Sequence, residues 1–300
     1  VGLRPSLAIG LRPSLAKTPV FLLQFALISG LGCGGGAAAT DNASFFTTDE
    51  PVALTASNRT VTPVNQIVTP IGIQVELPGL RPQALALSPN GKLLVTAGKS
   101  HELVVIDPVG GTVRERVPLP SDKATEPPTD VVSTHILEPD EEGQVSYTGL
   151  VFSPDGKRIY LSNVNGSIKV FVVSSEGQVG GLFSISLPDA NAPRRRADIP
   201  AGLALSADGQ RLYVALNLSN RLAEIDTVTG RVLRLWDVGV APYDVVLAGP
   251  KAYVSNWGGR RPAPDSLTGP AGRGTLVRVD PVRHIASEGS VSVIDLKADG

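Results

Sequence analysis

Apolar and polar residues alternate in short runs along most of this chain, and a turn signal closes each run. The clearest example is 85–107 (LALSPNGKLLVTAGKSHELVVID), which predicts a strand, a tight turn, a strand, a loop and a strand. Similar runs recur at 150–173 and 203–226. A fourth copy begins at 245–256 and resumes at 289–295 after an insertion. The sequence is therefore built from a repeated unit of short strands.

Tight turns separate the predicted strands. The turn at 88–91 (Ser-Pro-Asn-Gly) places proline at its second position and a glycine where the backbone takes a positive φ. An Asn-Gly pair between apolar runs is typical of a hairpin. The first copy therefore predicts strands at 84–87, 93–97, 103–106 and 113–117. Several such units indicate an all-β fold, a β-propeller of four-stranded antiparallel blades, with about four blades present and the ring incomplete.

Three insertions distinguish the copies, at 121–146, 189–199 and 257–288. The first two connect the last strand of one unit with the first strand of the next. The third connects the second and third strands of the fourth unit. In an antiparallel four-stranded meander both kinds of connection lie on one face of the blades. Because loops on a rigid scaffold commonly carry function, we expect a binding site on this face, which we call the loop face.

The sequence divides into four segments by composition. They are a disordered leader, a signal peptide, a flexible tether and the partial propeller, at 1–16, 17–33, 34–65 and 66–300. The start of the last segment, 66–79, alternates like a strand, and we expect it to form the outermost strand of the blade that closes the ring.

The second of these segments has the layout of a secretory signal. Lys17 precedes an apolar run, and Cys33 follows a small residue where a bacterial lipoprotein carries its lipid. Plain secretion, with cleavage at the alanines of 37–39, is an alternative, and an uncleaved apolar anchor is another. All three place the rest of the chain outside the cytoplasm, in the periplasm, on the outer membrane or in the medium. A lipid on Cys33 is the one membrane attachment we expect.

Charge and motif content exclude several function classes. The chain has 27 basic and 28 acidic residues, so no overall field favours nucleic acid. Its single cysteine allows no disulfide framework. The sequence contains no glycine-rich phosphate loop, nucleophile elbow or zinc-protease motif. We therefore predict no catalytic residues, no metal site and no cofactor in this chain.

The best binding candidate follows the second strand of the fourth unit. Asn256, Trp257, Arg260 and Arg261 combine an aromatic surface with two guanidinium groups, which suit a phosphate or a carboxylate. The alternative is that Trp257 packs over the end of the blade while the arginines hold the long insertion in place.

Other charged or metal-binding side chains are also expected on the loop face. His101 and His135 could share a metal ion or a ligand there, although histidines in solvated loops are the commoner case. The acidic run 140–142 reads as a solvated loop tip, with calcium binding as the alternative. The arginines of 194–196 add positive charge and read as a solvated basic loop.

Several segments carry a family resemblance. SPDGKRIYLS at 153–162, SADGQRLYVA at 206–215 and KAYVSN at 251–256 resemble the YVTN-type β-propeller repeat, called YncE-like in bacteria. The segment from 255 to 295, which begins SNWGGRRP and ends GSVSVID, is similar to a narrower group. In that group a secreted propeller precedes an alkaline-phosphatase-like phosphoesterase domain. No part of this chain resembles the metal-binding half of that enzyme.

Three functions remain open at this level. The first is a secreted or lipid-anchored propeller that binds a protein or a small anionic ligand through the loop face, as a binding or scaffold module. The second is the N-terminal propeller of a phosphoesterase whose catalytic domain lies beyond residue 300. The third is a lactonase-like propeller enzyme, because such hydrolases share this type of repeat, although no site residues for that reaction are recognisable.

Overall fold

The computed structural model describes residues 52–56, 59–64, 66–69, 71–125 and 139–298. The chain divides into two units, 1–69 and 70–300. In the first unit β1 (Ala53–Ala56), β2 (Arg59–Val61) and β3 (Ile67–Val68) form an antiparallel sheet in the order β1-β2-β3. The predicted tether 34–65 therefore contains paired strands in its described part, where Val61 is buried.

The second unit contains four consecutive antiparallel sheets, which are the blades of a β-propeller. The strands of the first two blades are β4 (Pro82–Leu87), β5 (Leu94–Gly98), β6 (Glu102–Ile106), β7 (Val113–Pro118), β8 (Val145–Phe152), β9 (Arg158–Asn163), β10 (Ser167–Val173) and β11 (Val179–Ser186). The second insertion then forms a hairpin of β12 (Asp189–Ala192) and β13 (Arg195–Ala197).

The third and fourth blades repeat this plan. Their strands are β14 (Pro200–Leu205), β15 (Arg211–Leu216), β16 (Arg221–Asp226), β17 (Val232–Asp237), β18 (Pro242–Ala248), β19 (Lys251–Asn256) and β22 (Ser290–Asp295). Between the last two, the third insertion forms a hairpin of β20 (Thr268–Pro270) and β21 (Leu276–Arg278). The first three blades have four strands each and the fourth has three. The predicted all-β propeller of about four blades is confirmed. The strands predicted for the first blade match β4 to β7 within two residues at each end.

The turns form as their sequences predict. Ser88 O accepts from the backbone N of Gly91 at 2.8 Å, and the Ser88 hydroxyl accepts from the N of Leu93 at 2.9 Å. Gly91 has φ +68°. The equivalent glycines of the second and third blades, Gly156 and Gly209, have φ +72° and +70°. An L side chain adopts this backbone conformation only with strain, so glycine is favoured here.

The core consists of apolar layers between neighbouring blades. Leu103 and Val105 of the first blade lie in one buried cluster with Leu150, Ile159 and Phe171 of the second. Equivalent clusters join the second blade to the third and the third to the fourth. The first strands of consecutive blades lie next to one another, which places them innermost. The same kind of apolar contact therefore joins each of the three pairs of neighbouring blades.

The described blades do not close a ring. Leu85 and Leu87 on the first blade are exposed, as are Val246, Val291 and Val293 on the fourth. These side chains alternate with those that pack against the neighbouring blade inside the array. The apolar outer face of the fourth blade, and the innermost part of the outer face of the first, are thus open among the described residues, as expected for an incomplete ring.

The expected ring-closing strand at 66–79 takes another path. Ile67–Val68 pairs with β2 in the first unit, and residues 73–77 belong to no strand. Val75, Leu77 and Leu80 instead pack against the side chains of Val104 and Ile106 of the first blade. The alternating apolar residues of this segment therefore cover the outer part of a blade face instead of extending a sheet.

Candidate functional site

The loop-face insertions contact one another and the neighbouring loops. Arg194 N, in the second insertion, donates to Arg273 O in the third at 3.1 Å. Asn165 Nδ2, in the β9–β10 loop, donates to Glu142 O in the first insertion at 3.1 Å. The inference that the elaborated connections share one face is confirmed for their described residues.

A buried lysine holds the two ends of the first insertion. Lys169 Nζ, on the central part of β10, lies 2.7 Å from Asp140 Oδ2, 2.8 Å from Asp122 Oδ1 and 2.7 Å from Pro120 O. Burial opposes ionisation of Asp140, but Lys169 and the backbone N–H groups of Glu142 and Gly143 together hold its pKa below the ordinary value. Asp140 is therefore an internal ion-pair partner and not part of a solvated tip, whereas its neighbours in the acidic run are exposed.

Irregular pairing marks the start of every innermost strand. In β4 the pairs Pro82–Gly98 and Ala84–Ala97 leave Gln83 as an extra residue. In β18 the pairs Pro242–Asn256 and Asp244–Ser255 leave Tyr243 as an extra residue. Bulges of this kind change the direction of a side chain and are common next to functional sites. Here they occur at the loop-face end of the strands.

The bulge in β8 is the largest of these irregularities. Val145 pairs with Asn163 and Leu150 with Leu161, so residues 146–149 lie opposite a single residue. Close packing accompanies the bulge, because a Cβ on Gly149 would lie 2.1 Å from the hydroxyl oxygen of the serine opposite. Tyr147 lies inside the bulge with φ +50°, an uncommon conformation for a bulky residue.

These irregularities bring three aromatic side chains together. Tyr147 and Tyr243 meet edge to face with ring centroids 5.3 Å apart, and Tyr243 stacks on Trp257 at 4.7 Å with an interplanar angle of 19°. Trp257 remains 69% exposed. We call these three residues the aromatic row. Because they lie at or beside the loop-face ends of innermost strands, the row lies beside the centre of the blade array.

The backbone around Trp257 fixes its position in the row. Trp257 N donates to Ala241 O at 3.0 Å, and Gly258 N donates to Val240 O at 2.9 Å. The segment after β19 is thereby paired with the segment before β18, which holds the indole over Tyr243. One indole face is covered and the other is open to a ligand.

The tyrosine at the other end of the row has a raised pKa, mainly because it is half-buried. Burial and the neighbouring Tyr243 raise the pKa of Tyr147, while the charge of Arg195 lowers it, and the net direction is upward. Its hydroxyl donates to Asn217 Oδ1 at 3.4 Å. At neutral pH Tyr147 is therefore uncharged.

The other candidates near Trp257 have mainly internal contacts. Asn256 is buried, and its Nδ2 donates to Ser292 Oγ at 3.0 Å. Arg261 donates to Val238 O at 2.7 Å and pairs with Asp237 at 3.1 Å. Arg261 thus holds the third insertion against the third blade, which is the alternative considered for the arginines.

Arg260 is the more accessible of the two arginines. Its guanidinium lies 3.6 Å from Glu288 Oε2 and is largely exposed. Of the four residues predicted here, Trp257 and Arg260 are open to a ligand. A binding role for each of the four stays a prediction.

One of the two predicted histidines lies within the described residues. His101 Nδ1 lies 2.8 Å from Gly143 O, so its ring contacts the end of the first insertion. His135 and Cys33 lie outside the described residues. Within the described part of the chain, no three His, Cys, Asp or Glu side chains are grouped as for a metal ion.

No helix within the described part of the chain is long and apolar enough to span a membrane.

Sequence reasoning missed the tyrosines of the aromatic row. An alignment of the innermost strands at their first paired residue contains a usable signal, because Gln83, Ala201 and Tyr243 each follow a proline at that position. The change from glutamine to alanine to tyrosine at this position singles out Tyr243, whereas Tyr147 has no comparable signal in the sequence.

Comparisons with known proteins return fold likeness alone. No protein-family model matches the sequence, and no curated protein matches it. Among solved structures, hydrazine synthase of Kuenenia stuttgartiensis is 17% identical with a TM-score of 0.45, over 74% of this chain and 52% of that one. U3-55K is 13% identical with a TM-score of 0.46, over 61% and 47%.

A third similar structure is the β-propeller domain of Cps50 (Swd1) from Myceliophteria thermophila. It is 13% identical with a TM-score of 0.44, over 65% of this chain and 57% of that one. The chain spans about half the length of each of these three solved structures. The assignment of the fold rests on the blades themselves.

Proposed function

We propose that this chain is a non-catalytic binding module that engages a protein partner through its loop face. The observation that carries the proposal is the aromatic row, with the exposed indole of Trp257 stacked on Tyr243. Aromatic side chains that are held rigidly lose little entropy on binding and are frequent energetic centres of interfaces. The insertions around the row supply the polar rim that such a centre needs.

The proposal is tested with Trp257→Ala. Wild-type and variant proteins are immobilised and used to capture partners from an extract of the source cells, and the captured proteins are compared quantitatively. We expect a partner retained by the wild type to be lost, because truncation of an aromatic centre commonly costs 2 kcal/mol or more of binding energy, about thirtyfold in affinity.

The matched control is Val109→Ala, which removes an exposed apolar side chain from the turn between β6 and β7, on the opposite face. It should leave capture unchanged. Equal capture by Trp257→Ala, Val109→Ala and the wild type would remove the aromatic row from the interface and refute the proposal.

Location and family membership are further parts of this proposal. We place the propeller outside the cytoplasm, lipid-anchored through Cys33, and we assign its repeats to the YVTN type. Labelling of the expressing cells with a fatty-acid analogue tests the anchor. The wild-type chain should incorporate the label, and Cys33→Ser should abolish this incorporation. The role as the front part of a phosphoesterase is decided by the open reading frame after Gly300.

A further inference from the structure

A groove lies beside the aromatic row, between the first and second blades, and combines an apolar floor with a few polar and charged side chains. It encloses about 420 Å³ and shares Tyr147 as one wall. The remaining lining comes from the start of β4, the β5–β6 loop, the start of β8, the β9–β10 loop and the residue before β14, and includes Arg81, Gln83, Lys99, Gln144 and Val164. Every one of these segments belongs to the loop face.

Positive charge surrounds the groove without an acidic partner among the described residues. Arg81 and Lys99 line it, are exposed, and form no ion pair with another described residue. Arg195 donates to Val164 O, on the groove wall, and to Ala197 O at 3.0 Å. It too has no acidic partner in the part of the chain that the structure describes. None of the described residues that line the groove is acidic, so the charge of this lining favours an anionic occupant.

The neutral lining favours a peptide over a simple ion. The side-chain amides of Gln83 and Gln144 bond to no other described residue, and each offers a donor and an acceptor, as a peptide group does. Gln83 is the extra residue of the β4 bulge. From the groove, Tyr147 continues into the aromatic row, where Trp257 offers a flat surface for a proline or another ring.

We propose that the loop face binds an extended acidic peptide segment of a partner protein. Its carboxylates lie at Arg81 and Lys99, and a proline or aromatic residue stacks on Trp257. This inference rests on the proposed function and adds the chemistry of the partner. It requires that binding weaken with salt, because part of the attraction is between exposed charges.

The experiment uses Trp257 as its own reporter. The chain has two tryptophans, so Trp236→Phe leaves Trp257 as the single tryptophan, whose emission is followed by excitation at the red edge, where tyrosine does not absorb. The probes are a synthetic peptide of alternating glutamate and proline, its lysine–proline counterpart, and polygalacturonate as an acidic polysaccharide. Each is titrated at low and at physiological salt into the full chain carrying Trp236→Phe, alone and combined with Arg81→Gln or Lys99→Gln.

The glutamate–proline peptide should change the emission of Trp257, and the lysine–proline peptide should not. Each neutralisation should weaken binding about tenfold, as expected for the loss of one charged hydrogen bond. Lys92→Gln, which removes an exposed cation from the turn on the opposite face, should leave the affinity unchanged.

Each other result overturns a defined part of the inference. Peptide binding that is insensitive to both neutralisations refutes the groove as the carboxylate site but leaves the proposed function standing. A response to polygalacturonate alone replaces the peptide with an acidic polysaccharide. No response to any probe refutes the acidic ligand, while the capture experiment with Trp257→Ala tests the proposed function separately.

Discussion

Lys169→Met tests whether a buried charge holds the first insertion on the blades. Methionine keeps most of the apolar stem of lysine and removes the ammonium group. Lys169 is 0% exposed, and its partner carboxylates on Asp140 and Asp122 are 12% and 44% exposed. The substitution therefore affects two carboxylates that differ in their access to water.

The expected cost follows from this difference. Asp122 can return to water when its partner is lost, so its ion pair contributes at most about 1 kcal/mol. Asp140 stays largely buried and keeps two backbone donors, Glu142 N at 3.0 Å and Gly143 N at 2.8 Å, but loses its counter-ion. Loss of one member of a buried pair typically costs about 3–5 kcal/mol. We expect the free energy of unfolding to fall by about 3 kcal/mol.

Urea unfolding of wild type and variant measures the difference. Adding Asp140→Asn to Lys169→Met should restore part of the lost stability, because the isolated charge is removed and a double-mutant cycle then gives the coupling energy. Arg196→Gln is the matched control. Its ion pair with Asp189 is almost fully exposed, so it should change stability by less than about 0.5 kcal/mol.

The same pair predicts a pH dependence. The pKa of Asp140 is lower in the folded state, so its ionised form stabilises the fold above the unfolded pKa of about 4. This contribution is lost as the pH falls through the folded pKa. As the pH falls from the unfolded pKa through the folded pKa, the wild type should therefore lose more stability than Lys169→Met. A stability difference under 1 kcal/mol at neutral pH, or equal acid profiles, would refute the ion-pair account.

Two further substitutions test the packing of the loop face. Gly149→Ala should lower the free energy of unfolding, measured in urea, by about 2–3 kcal/mol, because the new methyl group would overlap a serine hydroxyl. The control is Gly180→Ala, whose methyl group would lie 3.7 Å from the nearest atom, and it should change that free energy by less than about 0.5 kcal/mol. Arg261→Gln should speed limited proteolysis of 257–288, because it removes the hydrogen bonds to two carbonyl groups and an ion pair. The control Arg260→Gln should leave the cleavage rate unchanged. Equal cleavage rates for both variants would contradict this role of Arg261.

The sequence predicts the blades well because their determinants are local. A turn such as 88–91 contains both the serine that accepts from the backbone and the glycine that takes φ +68°. The partners of Lys169 are distant in sequence, since Asp122 is 47 residues away. One lysine in an apolar strand does not reveal which carboxylate will meet it. For the same reason Asp140 could not be separated from its exposed neighbours by sequence alone.

The site depends on geometry that periodicity does not show. Alternation assigns Tyr243 to a strand face, but the bulge removes it from the pairing of β18 with β19 and places it against Trp257. The same holds for Tyr147, whose position depends on a close approach that only Gly149 permits.

The bulges at the start of the innermost strands divide the residues that pack the blades from the residues that form the candidate site. Residues after the bulge, such as Leu150 and Val245, are buried between blades, so their size is constrained by packing. Residues inside the bulge, such as Gln83 and Tyr243, are excluded from that packing and lie at the loop-face end. Their chemistry can change with little cost to the blade interfaces. A propeller of this kind can therefore acquire a new ligand by substitutions at a few positions beside its centre. In this chain those positions carry amide and aromatic side chains, next to cations that form no ion pair with another described residue.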